Sequence, residues 1–548
     1  MELTIRYVSS LLVVVWVLHT LITFLRLYII GRRTGFPVYI IPIQTRSVPW
    51  MFLNSVLRPY FEKYLPECIY ERIDIASAGW EFRRKAEMHQ RLGPAFVVVT
   101  LNQCALWVGD PALGNIVLQR RKDFVQAPIV KRMMGFLGSN VLQANGDDWQ
   151  RQRRIVAPNL NERISEAVWN ESCEQAQEML DYLSKRPGSQ TLSGLRCLAI
   201  NVLGQAGYGQ AQPWLPELPI HSKEELNGRA GYFSAMSLIT DMLPYAALLP
   251  HKLLRMSFMP LARQALGRHL EKINQYTKDM LDDERKAAKY ESGPRNNFLN
   301  SLVQFSDQGT DTKPALTMSE DEISGNLFIF SVAGFDTTAN TMGYAVCLLA
   351  AYPEWQHWVR EELAALPDIS QWKYEETFPK CQRTLAVMFE TLRHFTPVLH
   401  STRAVSETQT LVDADGTQHI ITPPMDVFVS QQSIHYNPNI WGADVEEFKP
   451  TRWLDNSGNT ITPPKGTFIP WSGGPRVCPG MKMSQVEFVA AMAVLFRSGR
   501  CEPVTEGGMS LEESRKALHG VLYHDSISKI TMQVKNPTKV KLAWYQEI

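Results

Sequence analysis

Apolar residues are distributed along this chain in several distinct ways, and each predicts a different kind of element. From Tyr7 to Leu25 no Asp, Glu, Lys or Arg interrupts them, and as a helix that span covers roughly 28 Å, close to the thickness of a bilayer core. Between Glu162 and Leu183, and again between Leu261 and Ala287, apolar positions recur every three or four residues among charges, the pattern of helices with one buried face. The stretch Ile323 to Ala351 is apolar over most of its length, with no proline before Pro353, and reads as a central buried helix. Tyr232 to Leu261, punctuated by Pro244, Pro250 and Pro260, reads as short broken helices. Phe96–Leu101 and Ala105–Val108 are β-type runs flanking Asn102-Gln-Cys104 and predict a small sheet. The expected body is mainly α.

Length and charge narrow this picture. The 548 residues contain no low-complexity linker, so one large domain with an N-terminal appendage is expected: an anchor at 1–30, a connector at 31–60 and a body at 61–548. Arg26, Arg32 and Arg33 follow the apolar run and outnumber Arg6 before it, which places the body in the cytosol by the positive-inside tendency. A cleaved signal peptide is the competing reading, but no small-residue cleavage site follows. Ser47–Leu53 with Val56 and Leu57 reads equally well as a membrane-surface contact or as ordinary core. A formal charge of +1 gives no electrostatic case for nucleic acid. The eight cysteines are scattered, without CxxC or zinc-ligand spacing, and read as reduced.

Four clusters carry candidate chemistry. Trp471-Ser-Gly-Gly-Pro-Arg-Val-Cys478-Pro-Gly480 presents one cysteine on a glycine-rich turn ahead of an apolar helical stretch, so backbone N–H groups and a helix N-terminus both favour a thiolate. Ala333-Gly-Phe-Asp-Thr-Thr338 lies in the central helix. There Gly334 lets a ligand approach the backbone, Thr337 can bond back to Ala333, and a buried Asp336 suggests a proton route. Glu390-Thr-Leu-Arg393 places opposite charges on one helical face. Trp149 and Arg153 stand one turn apart on another helix.

Taken with Phe448-Lys-Pro-Thr-Arg-Trp453, these segments resemble, in order, the WxxxR, (A/G)Gx(D/E)TT, ExxR, FxPxRW and FxxGxRxCxG motifs of the cytochrome P450 superfamily. Trp471 stands where that last motif has phenylalanine, and Leu160 where the family tends to have phenylalanine after Pro158. The resemblance implies the cytochrome P450 fold, mainly α with a small β-rich subdomain and here an N-terminal transmembrane helix. It implies haem b (iron protoporphyrin IX) ligated by Cys478, with Trp149, Arg153, Arg403 and Arg476 meeting the propionates. Thr337 and Asp336 would handle dioxygen and its protons, and Glu390, Arg393 and Arg452 would form a structural triad.

The implied activity is monooxygenation of a lipophilic small molecule, in the style of fungal secondary-metabolite members. A haem-thiolate isomerase or dehydratase not using O2, and a non-catalytic membrane haem protein, stay as alternatives. No GxGxxG fingerprint is present, so electrons are expected from an NADPH-cytochrome P450 reductase, with room for cytochrome b5, at an endoplasmic reticulum membrane. Arg151, Arg154, Lys465 and Lys482 are candidate docking charges. The pocket is expected to draw on Phe124–Leu142, Tyr232–Leu261, Phe330, Ala333, Val398, Leu399 and Leu518–Tyr523, with membrane lipid nearby.

Overall fold

In a computed structural model that describes residues 2–45, 47–160, 162–217, 228–290, 297–307 and 317–546, the N-terminal apolar run is a single helix, Glu2–Arg33. Its segment Tyr7–Arg33 is long and apolar enough to cross a membrane. Leu11, Leu12 and Trp16 are exposed along it, whereas Leu27 and Ile30 are buried. The helix therefore runs past residue 30, and its last turns pack on a sheet. A Cβ on Gly31 would lie 3.1 Å from Val97 Cγ1 and 3.2 Å from Val99 Cγ2, so any larger residue would have to push these methyls back by a few tenths of an ångström.

Chain contacts divide the protein into two units. The first comprises Met1–Pro128, Leu399–Glu446 and Pro463–Val477. Its six-stranded sheet runs in the order Val38–Ile40, Ala95–Val99, Cys104–Val108, Asp426–Ser430, His400–Val405, Phe124–Val125. The hairpin expected from the two β-type runs is present, antiparallel, with Val97 opposite Leu106. Both strands are buried throughout, which suits their β-branched and apolar content. Within the stretch read as a connector, Val38–Ile40 is a sheet strand and Val48–Tyr64 a helix. That helix divides the two readings of Ser47–Leu57: Trp50 is buried against Trp80 and Ile73, while Leu53, Val56 and Tyr60 are exposed.

The second unit comprises Ile129–Val398, Glu447–Thr462 and Cys478–Ile548, and it is built of helices around Glu320–Ala351. A capping box between Ser319 and Glu322 starts this helix. Tyr352 ends it, with Pro353 opening the next. Helices Gln190–Tyr208, Gln382–His394, Met481–Arg497 and Leu511–His524 all pack against it. The periodic segments form as expected, as Glu162–Leu183 and Leu261–Tyr290. The proline-punctuated stretch breaks into Gly228–Asp241, Leu243–Leu248 and His251–Leu254. Leu518–Tyr523, expected as a pocket wall, instead belongs to the amphipathic helix Leu511–His524, with Leu518 and Leu522 buried and Tyr523 against Phe395. The antiparallel hairpin that follows, Ser526–Ser528 with Met532–Val534, also reaches the central helix, through Thr531 and Asp336.

Candidate active site

The cysteine loop obtains its shape from residues whose backbone is left-handed. Ser472 has φ 62° and Gly474 φ 65°. A Cβ on Gly474 would sit 2.3 Å from the Leu118 carbonyl oxygen, so only glycine fits there. A 3-10 turn at Gly474–Arg476 leads to Cys478, two residues before the N-cap Gly480 of helix Met481–Arg497. Cys478 is accessible, unlike Cys104, Cys197, Cys347, Cys381 and Cys501. Burial pushes Cys104, Cys197 and Cys347 up to about 12, which leaves them inert thiols.

Three influences compete at Cys478. The surrounding protein desolvates the sulfur and raises its pKa, while the Gly480 N–H and the Arg153 guanidinium pull it down. Desolvation is the largest of the three, and the net direction is upward. A bound metal ion deprotonates a coordinating thiol outright, so the donors at Gly480 and Arg153 act on the sulfur anion once a metal is present.

Arg153 lies on helix Gly146–Val156 one turn after Trp149, which is buried. Burial lowers its pKa, and the charge that opposes this is Cys478. The structure thus brings the WxxxR helix and the cysteine together. Arg403 and Arg476 belong to the other unit, on strand His400–Val405 and in the 3-10 turn. Arg403 is 4% exposed. Its Nη1 donates to Gln126 Oε1 at 3.1 Å and to the Thr402 carbonyl at 2.8 Å, while its Nε is buried without a hydrogen-bond partner. Burial brings its pKa down to about 10. A buried guanidinium with a spare donor suits a carboxylate supplied by a ligand, and so the residues present fit a propionate-bearing group.

On the central helix, Phe330, Ala333, Gly334, Thr337 and Asn340 remain accessible while the positions between them are buried. This spacing makes one open stripe along an otherwise enclosed helix. Thr337 Oγ1 donates to the Ala333 carbonyl at 2.9 Å, and Thr341 Oγ1 to the Thr337 carbonyl at 2.8 Å. Such back-bonding loosens the helix locally. Gly334 has a different reason from the one expected. Its Cβ would lie 3.2 Å from both Leu203 methyls, so packing against helix Gln190–Tyr208 demands the small residue.

Asp336, one turn before Asn340, is 1% exposed. Its Oδ2 accepts from Thr531 Oγ1 at 2.5 Å, and Asn340 Nδ2 donates to that same Oγ1 at 2.9 Å. Arg196 Nη1 lies 3.5 Å from Oδ1 and 3.0 Å from Asp241 Oδ1, and Oδ1 itself has no hydrogen-bond partner. Burial raises the pKa of Asp336 and outweighs the pull of Arg196 and Thr531.

Glu390 is the opposite case. It takes Arg393 Nε at 2.9 Å and Nη2 at 2.8 Å, Arg452 Nε at 3.0 Å, Trp453 Nε1 at 2.9 Å and the Lys449 N–H at 2.9 Å. Burial alone raises a carboxyl, but Arg393 and its neighbours hold Glu390 well below the usual range. His394 extends the cluster, its ring 2.6 Å from Arg393 Nη2 and 2.8 Å from the Tyr523 hydroxyl. Burial, then Arg393, lowers that imidazole to about 4. Sequence reasoning missed His394 as a cluster member, and it passed over Trp453 although the tryptophan closes the FxPxRW motif. Arg196 and Thr531 were missed as well, and no local signal marks either.

Among the docking charges expected from sequence, Arg151 is committed. It pairs with Glu322, at 2.9 and 2.5 Å, and with Asp148. Lys482 Nζ sits 4.2 Å from the Phe378 ring centroid. Arg154 and Lys465 are exposed.

Comparison with known proteins gives a consistent result. A family model described as Cytochrome P450 matches residues 76–530. The chain is 29% identical to the phomenoic acid biosynthesis cluster cytochrome P450 monooxygenase of Leptosphaeria maculans, over 96% of this chain and 97% of that protein. It is 26% identical to cytochrome P450 monooxygenase prx9 of Penicillium rubens, over 86% and 87% of the two chains. With cytochrome P450 monooxygenase ORF6 of Penicillium roqueforti the identity is 25%, over 94% and 95%.

Proposed function

The chain belongs to the cytochrome P450 family and is a monooxygenase, and from that premise we propose that it oxidises a lipophilic secondary metabolite with electrons from an NADPH-cytochrome P450 reductase. The observation that carries this reading is the accessible Cys478, set on its glycine turn beside the Gly480 N–H and Arg153. In this proposal Cys478 ligates the iron of haem b, and Trp149, Arg153, Arg403 and Arg476 hold its propionates. Haem bound through a thiolate supplies electron density that favours cleavage of the O–O bond in dioxygen.

The chain's own residues do the rest. Phe330 and the apolar flank of the central helix exclude water from the open stripe. Thr337 presents a hydroxyl there, already polarised by its bond to the Ala333 carbonyl. Asp336 supplies a buried carboxyl whose pKa is raised by burial, which favours the form that carries a proton. The acid–alcohol pair Asp336 and Thr337 favours oxygen chemistry over an isomerase or dehydratase that does not use O2. Glu390, Arg393 and Arg452 hold the fold around the site.

The relative named for the phomenoic acid biosynthesis cluster supports a substrate in secondary metabolism. The helix Glu2–Arg33 supports a single-pass anchor, and the arginines after its apolar run support a body on the cytosolic face of the endoplasmic reticulum. In the proposed division the anchor spans 1–30, the connector 31–60 and the catalytic body 61–548. Cytochrome b5 is proposed as a second electron donor.

Full-length protein in membranes, assayed with reductase, tests this directly. The reduced carbon monoxide difference spectrum is expected to show thiolate ligation, and turnover is expected to require NADPH. Cys478→Ala should abolish both. An imidazole-type spectrum in the wild type, or product formed without NADPH, would reject the proposal.

A further inference from the structure

The C-terminal hairpin is fastened to the catalytic helix at the acid itself. Thr531, 1% exposed, stands in the turn between Ser526–Ser528 and Met532–Val534. The Met532 N–H donates to the Pro397 carbonyl at 2.9 Å, and the Tyr344 hydroxyl donates to Ser526 Oγ at 2.9 Å. The hairpin is therefore held on both sides of Thr531. Asn340 and Asp336 are one turn apart on the central helix, and the Thr531 hydroxyl sits between them. Because it accepts from the Asn340 amide, its own hydrogen is directed at Asp336 Oδ2.

This arrangement makes the carboxyl oxygens unequal. Oδ2 accepts the Thr531 O–H, which favours its role as the carbonyl-like oxygen and leaves Oδ1 as the oxygen to protonate. Oδ1 has no hydrogen-bond partner and lies 3.5 Å from Arg196, which bridges to the part-exposed Asp241. We propose that Thr531 is a positioning residue for proton delivery: it pins Oδ2, so that the transferable proton is carried on Oδ1, on the side open to solvent through Arg196 and Asp241. The proposal rests on Asp336 being the proton-delivering acid.

The O–H bond at Oδ1 breaks as the proton passes to the oxygen substrate, leaving the Asp336 carboxylate, and it re-forms with a proton from solvent hydronium, which is left as water; no electrons change hands. Arg196 cannot itself give up a proton; it tunes the charge at Oδ1 and keeps it oriented. The charged groups facing Asp336 are Arg196 from helix Gln190–Tyr208, Asp241 from the end of helix Gly228–Asp241, and Lys529 from the hairpin turn. Thr531 favours the carboxylate, so its loss raises the carboxyl pKa.

The test uses the haem-loaded, full-length enzyme. An infrared pH titration follows the protonated carboxyl band, assigned to Asp336 by its disappearance in Asp336→Asn. Thr531→Val should raise the midpoint by about one pH unit and increase peroxide formed per NADPH about 3- to 10-fold. Thr531→Ser, which keeps the hydroxyl, should restore both. Thr531→Ala gives the same reading if valine is not accommodated. Unaltered coupling in Asp336→Asn overturns the underlying assignment and the proposal with it. A normal loss in Asp336→Asn combined with an unmoved midpoint in the valine and alanine variants overturns the proposal alone, as does a folded serine variant that behaves like valine.

Discussion

Glu390 and Asp336 are buried to almost the same degree, 0% and 1% exposed, yet the protein drives their pKa values in opposite directions. Desolvation acts on both and favours the neutral acid. At Glu390 two guanidinium groups, an indole and a backbone N–H all donate directly, and the ionised form prevails. Asp336 receives one hydroxyl, while its nearest cation stays at 3.5 Å and is shared with Asp241. The number and closeness of donors, rather than depth, separates a carboxyl held ionised from one pushed toward its neutral form. Glu487 marks the limit of the series. It is 2% exposed, its Oε1 has no partner, and burial raises it well above the ordinary carboxyl value.

The sharpest way to break this comparison is at Glu390. Glu390→Gln removes the charge that Arg393 and Arg452 share, and stranding a buried pair costs about 3–5 kcal/mol. We expect little haem-loaded protein and a large drop in melting temperature. A variant as stable as wild type would show that the cluster is not held by charge. The pH signature follows from the lowered pKa: Glu390 contributes stability above the ordinary glutamate value, lost as pH falls through its depressed one. The glutamine variant should therefore have a flatter acid limb.

At Asp336 the effect falls on rate. Asp336→Asn should keep the fold and lower coupled product formation on the order of 100-fold, in the range of general acid catalysis. Its raised pKa gives the opposite pH dependence, with stability greatest at low pH and declining as pH rises through the folded value. Melting curves of the asparagine variant should lose that decline, and an unchanged slope would mean that the carboxyl is not titrating as described. The smallest effect is expected at Glu487. Glu487→Gln replaces a carboxyl that burial already pushes toward its neutral form, so its melting should shift by less than about 1 kcal/mol equivalent. A loss as large as at Glu390 would place an unseen ion pair there.

These contrasts also explain what could be read in advance. The helix Glu162–Leu183 was legible to the residue because its charges and apolar positions keep one period throughout. Glu390 and Arg393 were legible because their partners lie within one turn. Arg196 and Thr531 were not, since the bonds that matter close across 195 residues in the case of Thr531 and Asp336, and no local pattern encodes such a closure. Leu518–Tyr523 was misassigned for a reason visible afterwards. Ser510 and Glu513 form a capping box, and with Leu518 and Leu522 four apart they announce an amphipathic helix. The cysteine loop was read for its donors but not for its desolvation, which depends on surrounding residues distant in sequence.

Gly31 carries a practical consequence. Because the apolar helix ends pressed against Val97 and Val99, its inner turns are part of the sheet's cover, so detergent-free versions of the enzyme cannot be trimmed at the helix's visible end. Cutting after Arg33 would strip Leu27 and Ile30 from the strands and leave a sticky face, whereas cutting before Leu27 would discard the exposed apolar turns and keep that cover in place.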